Sequence, residues 1–316
     1  MKKLFLLLLV LTLVAAASIV WFYINVQPAG TNKNFKNFLI EKGASASKIG
    51  TNLEQAGFIK NALAFKIYVK FSGQDGKIFP GEYRLNSAMS MFQIVSQLTR
   101  GPLELWVTIP EGLRREEVAM RFTTGLDRDA VFTNEFLQAS KNYEGKLFPD
   151  TYLFPKDASA SSIVNKMTKT FDSKTSGLVA GPDLTFNQRI VLASILERET
   201  KTSAERPIVA GIMMNRIRAG MPLQVDAAVQ YAVGTSKNWW PILSRDDLQI
   251  NSPFNTYKFS GLPPAPIASP GISALEAAFS PASTEYWYYI HDKSGIIHYA
   301  GTLQEHNANV AKYLGK

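Results

Sequence analysis

The stretch Asn187-Gln188-Arg189-Ile190-Val191-Leu192-Ala193-Ser194-Ile195-Leu196-Glu197-Arg198-Glu199-Thr200, wound at about 100° per residue, is apolar on nearly every side. A helix of that kind belongs in a protein interior, so its side chains leave bulk water. Glu197 falls between Ile190 and Ala193 on that surface. Burial penalises a charged carboxylate and favours its protonated form. A neutral acid in a cleft is what protonation of a leaving oxygen requires. The same position equally suits a buried carboxylate satisfied by an arginine. Glu199 points about 160–200° away, which reads as a structural residue paired with Arg216 or Arg206.

Working outward, helical spacing recurs over 164–171, 205–219 and 305–314. Residues 261–271 contain four prolines, which forbid a helix or a central strand. A hairpin is expected from Tyr286-Trp287-Tyr288-Tyr289-Ile290, a turn over 292–295, and Ile296-Ile297-His298-Tyr299. Nearer the amino terminus, Phe38-Leu39-Ile40, helical spacing through Ile49, Leu53 and Ala56, a helix over 62–71 and a strand after Pro80-Gly81 form a small βααβ-like module. A further helix from Met91 stops at Gly101-Pro102. The strand–glycine–helix order then returns at Trp106–Gly112. The class is α+β.

The 316 residues are 46% hydrophobic and 19% charged, a globular balance with room for two domains. A net charge of +8 without a Lys/Arg run favours an anionic surface or polymer as the setting. No nucleic-acid recognition pattern is present. Absence of cysteine excludes disulfides and thiol nucleophiles. His291, His298 and His306 lack the spacing of a zinc helix and are read as hydrogen-bonding residues, so neither a metal nor a cofactor is expected. The amino terminus is Met1-Lys2-Lys3, then an uncharged apolar run from Leu4 to Ile24, close to the ~20 residues that cross a bilayer. The leading lysines put that end in the cytoplasm and the rest outside. Ala15-Ala16-Ala17 resembles a signal-peptide cleavage site, but the run continues past the usual ~7–15 residues, which favours an uncleaved anchor. The expected division is an anchor over 1–25, a linker over 26–34, the small module over 35–104 and a mostly helical domain over 105–316.

Thr108-Ile109-Pro110-Glu111-Gly112, Gly145-Lys146-Leu147-Phe148-Pro149-Asp150-Thr151-Tyr152 and Ala193-Ser194-Ile195-Leu196-Glu197-Arg198-Glu199-Thr200 occur in that order. They are followed by Leu223-Gln224-Val225-Asp226, Asn255-Thr256-Tyr257, Gly261-Leu262-Pro263-Pro264 and Glu305-His306-Asn307. Together they resemble the endolytic murein transglycosylase family, also called MltG or YceG-like, along nearly the whole chain. The resemblance implies an enzyme of the bacterial inner membrane, anchored by one span, with its catalytic domain periplasmic. Its substrate would be nascent peptidoglycan glycan strands, cut internally, with peptidoglycan synthases as possible partners. It further implies that the first module is LysM-like and that Glu197 is the catalytic acid. Phe254, Ala265 and Ala227-Ala228 depart from the usual residues and bear on subsite preference.

Such an enzyme protonates the oxygen between N-acetylmuramic acid and N-acetylglucosamine. The muramic 6-hydroxyl then closes on its own anomeric carbon to give a 1,6-anhydro end, with no need for a second carboxylate. Gln224 and Asp226 serve either as ligands of sugar hydroxyls or as helix caps. Asn255, Thr256 and Tyr257 serve either a sugar face or a turn. Trp239-Trp240 suits a glycan groove, core packing or a membrane-facing contact. Two rivals stand: a muramidase that uses water and a second carboxylate, and a non-catalytic wall-binding scaffold.

Overall fold

The amino-terminal apolar run forms α1 (Lys2–Val26), of which Leu6–Val26 is long and apolar enough to cross a membrane. The computed structural model describes residues 2–101 and 104–315, with side chains from Leu6 onward. The chain divides into two units, one running up to Val107 plus Leu153–Asp157, the other Thr108–Tyr152 plus the chain from Ala158.

After α1 the first unit contains β1 (Lys36–Ile40), α2 (Ala46–Gln55), α3 (Ala62–Phe71), β2 (Gly81–Leu85) and α4 (Met91–Arg100). Each helix begins where a side chain satisfies a free amide: Ser45, Asn61 and Ser90 accept from Lys48, Ala64 and Gln93, and Gln93 returns the bond. β1 and β2 pair antiparallel with Phe38 opposite Tyr83. Alternation then turns Phe38, Ile40, Tyr83 and Leu85 onto Leu53, Phe65 and Leu98. β3 (Glu104–Thr108) and β4 (Thr151–Pro155) complete a sheet of order β1-β2-β3-β4. The expected βααβ order is present, and Pro102 lies outside the described residues.

The second unit is mostly helical: α5 (Arg115–Gly125), α6 (Ala130–Ala139), α7 (Ala160–Thr175), α8 (Phe186–Glu199), α9 (Arg206–Arg218), α10 (Asp226–Val233) and α11 (Ile272–Phe279). A hairpin of β5 (Tyr288–His291) and β6 (Ile297–Ala300) follows, then α12 (Leu303–Asn309) and a π turn, Val310–Leu314. α8 is the axis of this unit, with α9, α10 and α11 against it. Ile190, Leu192, Ala193, Ile195 and Leu196 are fully buried, each of the larger ones contributing about 1.5–3 kcal/mol. Thr185 and Gln188 close a capping box at its start.

Periodicity leaves α6, β4, α10 and α11 unread, because elements this short, or apolar all round, carry no amphipathic signature. The proline-rich segment has no regular structure and is tied to its neighbours by backbone donors. Ile267 donates to Ser194 Oγ at 3.0 Å and Ser269 to the Leu113 carbonyl at 2.7 Å. Gly145 sits at φ +77° against this segment, where an added Cβ would meet Pro266 at 2.5 Å. Gly145→Ala is therefore expected to destabilise the fold by about 1–3 kcal/mol. Its thermal midpoint should fall; an unchanged midpoint would contradict that contact.

Candidate active site

The last turn of α8 presents two carboxylates to opposite sides. Glu197 keeps only 6% of its side-chain surface. Its Oε1 accepts from Arg206 Nη2 at 2.7 Å, and its Oε2 from the Gly271 N–H at 2.9 Å, where α11 begins. Burial raises its proton affinity; the Gly271 amide and the Arg206 charge oppose that, and the net shift is upward. A second acid stands beside it: Glu111 Oε2 lies 3.9 Å from the same Arg206 nitrogen. The two carboxylates cannot be farther apart than those two distances combined. Position along α8 alone conceals this, since Glu111 arrives from the loop after β3.

Glu199 faces a different group. Its Oε2 accepts from the Tyr289 hydroxyl at 2.9 Å. Burial pushes its proton affinity up and the Asp226 carboxylate adds to that, against the Tyr289 hydroxyl, the Ala227 N–H and His291. The expected pairing of Glu199 with Arg206 or Arg216 is not what forms. Arg206 is spent on Glu197, and Arg216 donates to the carbonyls of Trp287 and Leu223 at 2.8 and 2.9 Å. Beside Glu199, Tyr257 donates its hydroxyl to Asp226 Oδ1 at 2.5 Å. Asp226 is exposed and Tyr257 half-buried, so a polar and an aromatic side chain stand between the acid and solvent; Gln224, two residues before Asp226, is exposed as well. Gln224 has φ +53°, a left-handed conformation that costs a non-glycine residue about 1–2 kcal/mol and often accompanies function.

Asn255 and Thr256 do not share that exposure. They are 0% and 1% exposed. Asn255 donates to the carbonyls of Leu248 and Ile250, and Thr256 bridges the backbone of Val225. Asn255 thus ties its segment to residues 248–250 and accepts from the Tyr257 N–H, while Thr256 ties it to Val225 beside Asp226. Trp239 and Trp240 are half-buried and lie against guanidinium groups, Arg114 at 4.6 Å and Arg198 at 3.8 Å. Trp240 also donates to Glu117 at 2.9 Å. His291, His298 and His306 contact Glu205, Asp292 and the Tyr288 ring.

A cavity of about 550 Å³ lies along the amino-terminal half of α8, lined by Glu144, Lys146, Asn187, Gln188 and the proline-rich segment. Sequence reading passed over Glu144, which no periodicity marks. It accepts from the Arg115 N–H and the Tyr231 hydroxyl, at 3.2 and 3.1 Å. Burial, then the Glu116 charge, push its carboxyl up to about 7. A folded-state value above the ordinary 4.5 stabilises the fold fully below that pH and loses its effect as pH rises towards 7. Glu144→Gln is expected to flatten the decline of thermal stability across that window; an unaltered slope would exclude this titration.

The model of the YceG-like family matches residues 38–312. An endolytic murein transglycosylase of Bacillus subtilis is 33% identical over 314 residues, covering 90% of this chain and 86% of that protein. One from Streptococcus pneumoniae is 28% identical over 90% of this chain, which spans 59% of the pneumococcal protein. A crystal structure of a yceG-like protein from Listeria monocytogenes superposes with a TM-score of 0.58 at 30% identity, covering 88% of this chain and 99% of that one.

Proposed function

This chain belongs to the YceG-like family, and we propose that Glu199, rather than Glu197, supplies its acid chemistry. The protein is an endolytic murein transglycosylase, a lyase that cuts within peptidoglycan strands. The small first unit serves as a LysM-like wall-binding module and α1 as an uncleaved anchor, amino terminus cytoplasmic and both units outside. Peptidoglycan synthases are natural neighbours for an enzyme that acts on nascent strands.

One observation carries the choice of acid. A general acid must hold a proton at rest and deliver it to open space. Both Glu197 oxygens accept from donors, one of them a cation, which is the arrangement of a structural carboxylate. Among the described hydrogen bonds no guanidinium donates to Glu199; burial and Asp226 dispose it to keep its proton, and Asp226 and Tyr257 lie beside it. Its proton goes to the glycosidic oxygen as the muramic C1–O bond breaks. The resulting carboxylate takes the proton of the muramic 6-hydroxyl, whose oxygen bonds to C1 and leaves a 1,6-anhydro end. Asp226, held by Tyr257, offsets positive charge that develops at C1. No water is consumed. The scission assay is mass spectrometry of digested strands: anhydro ends support this reaction, and reducing ends alone would replace it with a muramidase.

The second reading keeps Glu197 as the acid, as the family resemblance implies. It is favoured by that residue's raised proton affinity and by Glu111 beside it. The Tyr289→Phe variant separates the two. The Tyr289 hydroxyl favours the ionised form of Glu199, so its loss raises that acid's pKa. Activity that needs protonated Glu199 then persists to higher pH, and the alkaline limb of the rate profile moves upward. An unmoved limb would return the role to Glu197.

A further inference from the structure

α3 carries two apolar faces. Ala64, Phe65 and Val69 are fully buried on one of them. Leu63, Ile67 and Phe71 recur every fourth residue and so form a stripe on another side. Leu63 is 57% and Phe71 87% exposed, so the unit's own core does not cover this stripe. Lys66 and Lys70, both exposed, flank it. In the same unit Ile67 lines an apolar cavity of about 670 Å³ with Val14, Ser18, Trp21 and Phe22 of α1. Lys60 donates to the Ile24 carbonyl at 3.3 Å, close to the carboxyl end of α1.

We propose that α3 lies in the boundary layer of the bilayer, with Leu63, Ile67 and Phe71 among phospholipid acyl chains and Lys60, Lys66 and Lys70 at the level of anionic headgroups. The proposal rests on the reading of α1 as an uncleaved anchor. Its argument is continuity: Ile67, the middle residue of the stripe, lines one apolar cavity with the surface of α1, and acyl chains at that depth fill it. Ser18 lies eight residues before the end of α1, about 12 Å along the axis, close to the ~5–10 Å at which an interfacial helix rests. Lysines near an anionic surface add electrostatic attraction to it. Two segments instead of one tether then hold the first unit to the membrane.

The chain has no cysteine, so single spin labels can be placed without background. The full chain carrying Ile67→Cys or Phe71→Cys is reconstituted into vesicles of phosphatidylethanolamine and phosphatidylglycerol. Ser18→Cys serves as the lipid reference and Ser47→Cys, on an exposed turn of α2, as the water reference. Oxygen should relax the labels at 18, 67 and 71 several-fold more than a water-soluble nickel chelate does, with the reverse at 47. Labels at 67 and 71 that behave like the one at 47, while 18 stays in lipid, would overturn the proposal and leave the anchor standing. A water-exposed label at 18 would overturn both.

Discussion

Glu199→Gln is expected to fold normally and to release anhydro-ended product about 10²–10⁴-fold more slowly, the usual range for a lost general acid. Glutamine keeps the shape and can still accept the Tyr289 hydrogen bond, so binding of glycan should survive. Glu197→Gln should behave differently: a lower thermal midpoint and turnover within about tenfold of the parent, because it weakens an ion pair and leaves the acid in place. The crossed pair is decisive. If Glu197→Gln is the inactive one and Glu199→Gln retains turnover, the acid sits on the other side of α8. If both retain full cellular function while loss of the first unit abolishes it, the wall-binding scaffold is the better account.

Arg206→Met should be the most destabilising single change around α8. The Arg206 and Glu197 side chains are only 10% and 6% exposed, so methionine leaves a buried carboxylate without its cation. Breaking such a pair costs about 3–5 kcal/mol. At roughly 2–4 °C per kcal/mol for a unit of this size, the midpoint should fall by on the order of 10 °C. The double variant Glu197→Leu with Arg206→Met should recover much of the loss, since an apolar pair removes the uncompensated charge. Additive losses in that cycle would mean that the two side chains act independently, contrary to the 2.7 Å contact.

Chain-local signals marked much of this. The long apolar helix α1, the capped helices of the first unit, the buried winding of α8 and the proline-rich segment are all legible because each depends on neighbours within a turn or two. The polar residues of the later motifs were legible as a set, but not in their individual roles. Asn255 and Thr256 have the side chains of sugar ligands, yet the fold spends them on backbone. Glu144 and Glu111 carried no local mark of their partners, because the groups that contact them come from other loops and helices.

What the amino-acid order determined unaided is that α8 must be buried and that its final turn brings two carboxylates, 200° apart, to opposite sides. Which of the two is paired with Arg206 was decided only by the tertiary structure. Gly271 and Tyr289 reach their carboxylates from 74 and 90 residues away, and Arg206, though only nine away, belongs to the next helix. The physical reason is that burial pushes both acids in the same direction, whereas the charges and donors that tell them apart are placed beside them by other segments.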